Sequence, residues 1–137
     1  HCLLRRQRQM CIRDRDSCGA GEFRGGLGLD LEFEMIEETF ITTVVERTKN
    51  PPWGIKDGKA GRANNVQVIK KNGDKFFMPK KSGYKLDKGD KIIFLTGGGG
   101  GYGNPKFRKI EKIENDLKQE YLSKKYVEEN FKHFKFN

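Results

Sequence analysis

The stretch Leu95-Thr96-Gly97-Gly98-Gly99-Gly100-Gly101-Tyr102-Gly103-Asn104-Pro105 decides how this chain folds. Six of its eleven residues are glycine, and glycine loses more backbone entropy on folding than any other residue. A protein accepts that cost where the backbone adopts a positive φ or lies directly against other atoms. Because the apolar run Lys91–Leu95 precedes the glycines, the sequence predicts a special loop at the end of a β-strand. A flexible linker is the alternative, but linkers favour mixtures of glycine and serine.

The first fifteen residues carry a separate signal. Residues 5–15 resemble the conceptual translation of a transposase adapter oligonucleotide used to prepare sequencing libraries. On this interpretation residues 1–15 are an artefactual, disordered leader, and the chain is the C-terminal fragment of a longer protein. A natural basic arm that binds nucleic acid is the alternative. The leader holds five arginines and one aspartate, so it supplies +4 of the net charge of +9 and leaves +5 for the rest.

The composition limits the kind of protein and the kind of chemistry. The 137 residues have the length of one domain, and no apolar run approaches the roughly 18 residues that suggest a membrane span. We therefore expect a cytoplasmic protein without membrane contact. Outside the leader, Cys18 is the one cysteine and His133 the one histidine. The sequence thus predicts no disulfide framework, no metal site and no catalytic residues in this chain.

The body of the chain, residues 16–105, has a mainly β pattern. Apolar and polar residues alternate over residues 27–35, which predicts a half-buried strand. The β-branched and aromatic run at residues 40–45 predicts the next strand. Residues 46–64 contain two prolines and three glycines and predict a long loop, a feature that is often functional.

Asn72-Gly73 lies between two apolar runs and predicts a β-hairpin. A two-residue type I′ turn needs positive φ at both central residues, which asparagine and glycine tolerate. Such a turn would pair Val68 with Phe77 and Ile69 with Phe76.

The tail, residues 106–137, changes to a helical period, and Ser123 is a predicted N-cap of a second short helix. The first helical stripe comprises Ile110, Ile113, Leu117 and Tyr121. The fold class predicted for the whole chain is α+β, mainly antiparallel β with a short C-terminal helical tail, as a fragment of a larger subunit.

Four segments together resemble the hydantoinase B / 5-oxoprolinase family, which includes N-methylhydantoinase B-type and acetone carboxylase alpha-type subunits. Each segment alone is a weak signal, but their order and spacing make the resemblance specific. It covers residues 19 to about 130. One departure is Asn104, where the family usually has aspartate; we expect Asn104 to cap a turn instead. The segments are residues 23–28, residues 51–54 with Gly58 and Gly61, residues 86–90 and residues 97–105.

The resemblance implies a function for the longer protein. Family members work with a hydantoinase A-type component, a separate subunit or a fused half, which binds and hydrolyses ATP. Together they open cyclic amides such as hydantoins or 5-oxoproline, or carboxylate a ketone. The resemblance implies ATP and a divalent metal for the full enzyme, with the catalytic groups mostly upstream of this chain and no cofactor bound by this fragment.

The glycine-rich segments supply the candidate contact residues, for a substrate or for a subunit interface. Arg24 could clamp a carboxylate with two hydrogen bonds, although a surface arginine is the simpler interpretation. Trp53 is expected to anchor the long loop on the sheet, with an interface role as the alternative. The backbone of residues 97–101 could form an anion nest or, more simply, a tight loop that packs under another part of the full subunit. The upstream part of its own subunit is therefore an expected partner. The full set is Arg24, Gly25, Gly26, Pro52, Trp53, Gly54, Gly98, Gly99, Gly100, Gly101, Tyr102 and Gly103.

A small basic β module that binds nucleic acid is the competing hypothesis. Aromatic residues among lysines, such as Phe76, Phe77 and Tyr84, are the mixture that binds single strands. Nearly half of the net charge, however, belongs to the leader, so nucleic acid is the less favoured partner. The third interpretation, a purely structural interaction domain inside a larger enzyme, is compatible with the family resemblance.

Overall fold

The computed structural model describes residues 7–136 and consists of two antiparallel sheets followed by short helices. The larger sheet has five strands in the order β1-β2-β7-β4-β5, and β3 pairs with β6 in the smaller one. The predicted α+β class is confirmed. The strands are β1 (Gln7–Arg13), β2 (Leu29–Met35), β3 (Thr39–Val44), β4 (Asn65–Ile69), β5 (Lys75–Phe77), β6 (Lys80–Leu86) and β7 (Lys91–Leu95); a 3₁₀ turn (Pro105–Phe107), α1 (Ile110–Lys118) and α2 (Lys124–Asn130) follow.

The leader differs from the sequence-based expectation of disorder. Strand β1 pairs with β2 along its whole length, from Gln7 opposite Met35 to Arg13 opposite Leu29. An edge strand needs only backbone pairing on one side, so a polar sequence without a clear apolar pattern can fill this position. Residues 1–6 lie outside the described residues, and the adapter origin of the leader stays a prediction.

Two hydrophobic clusters form the core. The first lies between the two sheets, where the inward-facing residues of β2, β4 and β7 meet β6 and the segment before it. The second joins the helical tail to the chain around residue 18. The buried members are Met35, Val66, Val68, Met78, Leu86 and Ile92 in the first cluster, and Cys18, Ala20, Ile113, Leu122, Val127 and Phe131 in the second.

The hairpin forms at Asn72-Gly73, but its predicted register was wrong by one residue. Val68 pairs with Phe76 rather than with Phe77. The Gly73 amide donates to the Lys70 carbonyl, and among the turn residues only Gly73 has a positive φ. This is a three-residue loop in which a type I turn ends in a left-handed glycine. The register places Val68 and Phe76 together on the core face, and a shift of one would expose them.

The C-terminal tail folds as two helices, as the periodicity predicts. The Ser123 hydroxyl accepts a hydrogen bond from the Tyr126 amide, which confirms Ser123 as the N-cap of α2. Asn104 caps the 3₁₀ turn through the Lys106 amide, so it takes the turn-capping role expected of it. Phe131 is fully buried in the second cluster and docks the end of the chain on the body.

Asp90 fastens the turn before β7 to the hairpin. Its carboxylate accepts hydrogen bonds from Lys70 Nζ at 2.6 Å and from the amides of Lys71 and Asp87 at 2.9 and 2.8 Å. Burial raises the pKa of Asp90, but these hydrogen bonds outweigh that effect and the pKa lies below its usual value. A depressed pKa means that this carboxylate stabilises the fold above the pKa of the unfolded chain. The contribution is lost as the pH falls through the folded-state value.

We expect Asp90→Asn to lower the free energy of unfolding by about 2 kcal/mol at pH 7, because a charged acceptor of three hydrogen bonds is lost. The deficit should shrink as the pH falls from the ordinary aspartate pKa of about 3.9 through the lower folded-state pKa, because the wild-type carboxyl is then protonated as well. Urea unfolding at neutral and acid pH measures both deficits.

Asp57→Asn is the matched control for this prediction. The Asp57 side chain is exposed and forms no ion pair within residues 7–136, and asparagine tolerates its left-handed backbone (φ 68°). We expect it to change stability by less than about 0.5 kcal/mol. A deficit for Asp90→Asn that is the same at both pH values would contradict the assignment.

Candidate functional site

The glycine-rich segments lie side by side as extended chains. We call residues 17–28, 51–62 and 97–103 together the glycine bundle. Residues 97–103 run through its centre, with hydrogen bonds to both of the other segments. The bundle continues directly from β7 and leads through residues 104–109 into α1, so it connects the sheets to the tail.

Backbone lies directly on backbone inside the bundle. A Cβ atom added to Gly25 would stand 1.9 Å from the Gly99 carbonyl oxygen, and one added to Gly100 would stand 1.9 Å from the Trp53 oxygen. The same holds for Gly58 against the Gly101 oxygen at 2.0 Å. Since real Cβ contacts are never this short, glycine is required here by space and not by a positive φ. The predicted close packing of the glycine run is what the structure shows.

The central segment contacts its neighbours with a period of three. Gly98 and Gly101 face Ser17 and Ala20, while Gly97 and Gly100 face Arg62 and Trp53. A three-residue period is that of a polyproline II helix, which makes no internal hydrogen bonds and leaves its backbone groups free for neighbours. Glycines on all three faces therefore allow chains to approach from three sides.

Three of the five amides of residues 97–101 donate hydrogen bonds inside the protein. The Gly99 amide donates to the Gly26 carbonyl, and the Gly101 amide donates to the Lys59 carbonyl. The Gly97 amide donates to the side-chain oxygen of Asn64 at 2.6 Å. These donors point in different directions, so they do not converge on one anion as a phosphate-binding nest requires.

Arg24 holds a carboxylate, but the carboxylate belongs to this chain. Its Nε lies 3.0 Å from Asp116 Oδ1 in helix α1, and its Nη1 donates to the Gly25 carbonyl. Asp116 also accepts from Arg108 Nη2 at 2.5 Å. Asp116 is buried between the two arginines, so the triad joins α1 to the glycine bundle.

Trp53 does not anchor the long loop, contrary to the expectation from sequence. Its side chain is 69% exposed, with the Arg47 guanidinium 5.3 Å from the ring centroid. The loop is held instead by its backbone, as when the Gly61 amide donates to the Pro52 carbonyl at 2.9 Å. Gly54 packs against the Gly58 carbonyl, which closes the same loop on itself.

Tyr102 is half exposed at the end of the bundle. Its backbone forms bridges with Phe23 on one side and with Ile55 on the other. The following Gly103 has a positive φ of 75°, and a Cβ there would meet the Glu22 side chain at 3.0 Å. Gly26 differs from the other candidates because nothing lies within 4 Å of its added Cβ.

The described residues contain no arrangement that suggests a catalytic or metal centre. Cys18 is buried, and burial raises the pKa of its thiol although Arg24 nearby lowers it. Within residues 7–136, no three His, Cys, Asp or Glu side chains are grouped so that they could hold a metal ion. No helix in this part of the chain has the length and apolar character to cross a membrane.

The basic surface expected of a nucleic-acid module is partly neutralised. Phe76 and Tyr84 pack edge to face with ring centroids 5.6 Å apart, and both contact the core between the sheets. Phe77 alone of the three aromatic residues is exposed. Three lysines close in sequence to these aromatics form ion pairs with carboxylates: Lys70 with Asp90, Lys80 with Glu46 and Lys85 with Glu38.

A cavity of about 650 Å³ lies beside the larger sheet, and sequence reasoning did not predict it. Asn65, Gln67 and Phe77 line it together with Arg62. Arg62 is already paired with Asp14 and with Asp30, so its charge is balanced from within the protein. The cavity lies where the end of the long loop meets β4, β5 and the end of β7.

The fold and the glycine bundle define a β-rich module that is held together by backbone packing. The family model for hydantoinase B/oxoprolinase matches residues 6–105. The chain belongs to this family, as the four ordered segments indicate.

Known relatives are much longer than this chain. An uncharacterised protein of Methanocaldococcus jannaschii is 38% identical over 117 residues, which are 85% of this chain and 21% of that protein. The beta subunit of a caprolactamase from Pseudomonas jessenii is 30% identical over 117 residues, covering 79% of this chain and 19% of the subunit. The crystal structure of the ATP-dependent caprolactamase from P. jessenii has a TM-score of 0.70 at 24% identity, covering 91% of this chain and 22% of that chain. The last match shows the fold, and this chain spans about a fifth of each relative.

Gly25 and Gly26 provide a matched test of the bundle. We expect Gly25→Ala to lower the free energy of unfolding by about 3 kcal/mol, because overpacking against backbone cannot be relieved by rotating a side chain. Gly26→Ala should stay within about 0.5 kcal/mol of wild type, since its Cβ meets open space. Urea midpoints of the two variants decide between these outcomes, and equal midpoints would show that the bundle is not tightly packed.

Proposed function

We propose that this chain is the C-terminal part of the larger B-type subunit of an ATP-dependent enzyme that hydrolyses cyclic amides, of the hydantoinase/5-oxoprolinase type. The observation that carries the proposal is the family match over residues 6–105. The P. jessenii relative named as an ATP-dependent caprolactamase supports the same class, since caprolactam is a cyclic amide. Within this subunit the chain has a structural and subunit-contact role.

The proposed role follows from how the candidate residues are used. The amides of Gly97, Gly99 and Gly101 donate hydrogen bonds inside the chain, and Arg24 is paired with Asp116. Residues whose hydrogen-bonding groups are paired within the chain contribute to a scaffold and have no free groups with which to bind substrate. The groups that activate the amide are therefore proposed to lie in the rest of the subunit and in its partner.

The partner in this proposal is a hydantoinase A-type component, separate or fused, that binds and hydrolyses ATP. A divalent metal is proposed for the full enzyme, with its ligands mostly upstream in the B-type subunit. Phosphorylation of an amide oxygen makes a better leaving group, which is how ATP hydrolysis drives ring opening. The cytoplasm, where ATP is available, is the proposed location. The subunit nomenclature of the caprolactamase relative supports a two-component arrangement.

The isolated 137-residue chain should hydrolyse none of hydantoin, 5-oxoproline and caprolactam, with or without magnesium and ATP. It presents no activated nucleophile or metal-ligand group among its described residues. Chromatographic detection of the ring-opened products, compared with a buffer control, measures the hydrolysis. Turnover by the purified chain would show that catalytic groups reside here.

A chimaera tests the proposal that this chain functions as part of an active B-type subunit. In the caprolactamase beta subunit, this chain replaces the matching fifth of the sequence, and the product is assembled with the other subunit of that enzyme. We expect ATP-dependent caprolactam hydrolysis by the assembled chimaera. Gly25→Ala in the chimaera should abolish it, whereas Gly26→Ala should not. A folded, assembled chimaera without activity would contradict the proposed function.

A further inference from the structure

An exposed apolar surface lies at the open end of the glycine bundle. We call Phe23, Trp53, Ile55 and Tyr102 the aromatic face. These side chains are 50%, 69%, 55% and 42% exposed, respectively. The backbone bridges of Tyr102 to Phe23 and to Ile55 place these three residues side by side, and the Phe23 and Tyr102 rings lie 6.3 Å apart. Trp53 lies two residues before Ile55 in the same loop. Contiguous exposed apolar surface of this kind marks an interaction site.

The backbone fixes the aromatic face in place. Lys56 and Asp57 have φ values of 49° and 68°, and the Gly58 amide donates to the Ile55 carbonyl, which makes a tight turn at residues 55–58. Two consecutive residues other than glycine in the left-handed region are strained, and the contacts of the surrounding bundle must offset this strain. A rigid apolar surface loses little entropy when a partner covers it.

The aromatic face is bordered by three cations and two carboxylates, Glu22 and Asp57, none of which forms an ion pair within residues 7–136. The border therefore carries a net positive charge. By contrast, Lys80, Lys85 and Lys91 in the sheets are paired with carboxylates. Three cations without a carboxylate partner lie over the rings: Arg47 over Trp53 at 5.3 Å, Lys56 over Tyr102 at 5.4 Å and Lys112 over Phe23 at 5.1 Å from the centroids.

We propose that the aromatic face binds an apolar segment with acidic side chains, and that the remaining part of the longer family subunit contributes this segment. This inference rests on the proposed function, in which the chain is one part of such a subunit. About four-fifths of each relative lies outside the region that this chain covers. A second copy of this chain would bring the same cations to the same surface, and like charges disfavour that contact. An acidic segment instead pairs with Arg47, Lys56 and Lys112 while its apolar side chains cover the rings.

The first test uses the 137-residue chain and 8-anilinonaphthalene-1-sulfonate, an anionic aromatic probe that has both features of the proposed segment. We expect the double variant Trp53→Ala/Tyr102→Ala to weaken probe binding at least tenfold. Phe40→Ala/Val44→Ala, which removes exposed apolar side chains of β3, is the control and should stay within twofold of wild type. Lys56→Gln/Lys112→Gln should weaken the anionic probe at least threefold and leave the neutral probe Nile red unchanged.

The second test asks what covers the aromatic face. Hydroxyl-radical footprinting compares the 137-residue chain with the caprolactamase chimaera, and Tyr84, half-buried between the sheets, is the internal reference. We expect the oxidation rates of Phe23, Trp53 and Tyr102 to fall at least fivefold in the chimaera, with Tyr84 unchanged.

Either experiment can overturn the proposal. If the affinity for the anionic probe is unchanged by the Trp53→Ala/Tyr102→Ala substitutions or by the lysine substitutions, the face does not select apolar acidic groups. A face that is labelled equally fast in the chimaera shows that the rest of the subunit leaves it uncovered. Neither readout measures turnover, so an active chimaera with an exposed face refutes this inference alone. An inactive chimaera with a covered face refutes the proposed function alone.

Discussion

The close approach of backbone to backbone in the glycine bundle is the constraint on which the rest of this structure depends. Gly25 and Gly100 each face a carbonyl oxygen at a distance that leaves no room for a Cβ atom. This packing replaces side chains with main-chain contacts, so the bundle is held by hydrogen bonds and van der Waals contact between peptide groups. It joins the sheets to the helical tail, and its own side chains enter the core mainly at Cys18 and Ala20.

The interactions around the bundle follow from that arrangement. A scaffold of backbone has few side chains with which to bind a neighbouring helix, and the buried Arg24–Asp116–Arg108 triad supplies the connection to α1. Loss of Asp116 would leave the buried Arg108 without its carboxylate partner, which costs more than the pair contributes. Beside the triad, the aromatic side chains that the bundle cannot bury are exposed around Tyr102. The packing of the glycine bundle thus accounts both for its closely packed interior and for the exposed aromatic face.

Much of the fold could be predicted from local patterns. Alternation in residues 27–35 and the helical stripe after Ile110 correspond to β2 and α1, because one face of each element packs on the body. The polar strands β1 and β6 were not predicted, since edge strands and two-stranded sheets need little apolar pattern. The hairpin register was missed because Asn-Gly also occurs in a three-residue loop ending in a left-handed glycine.

The candidate site was less predictable than the fold, for a physical reason. The glycine run indicates that its backbone is closely packed, but the residues it packs against lie 35 to 81 positions earlier in the chain. Arg24 meets Asp116 across 92 positions, a pairing that no local pattern indicates. Trp53 has the size and apolar character of a core residue, yet the loop around it closes through glycine and proline backbone, so the ring remains outside.

Native-state hydrogen exchange of the bundle amides tests the central claim most directly. The amides of Gly19, Lys59, Gly99 and Gly101 donate to backbone oxygens within the bundle. If the bundle holds the structure together, these amides exchange only by global unfolding, with the same free energy as the core strand β4. Exchange of the bundle amides through local opening, at a much lower free energy than β4, would contradict the account.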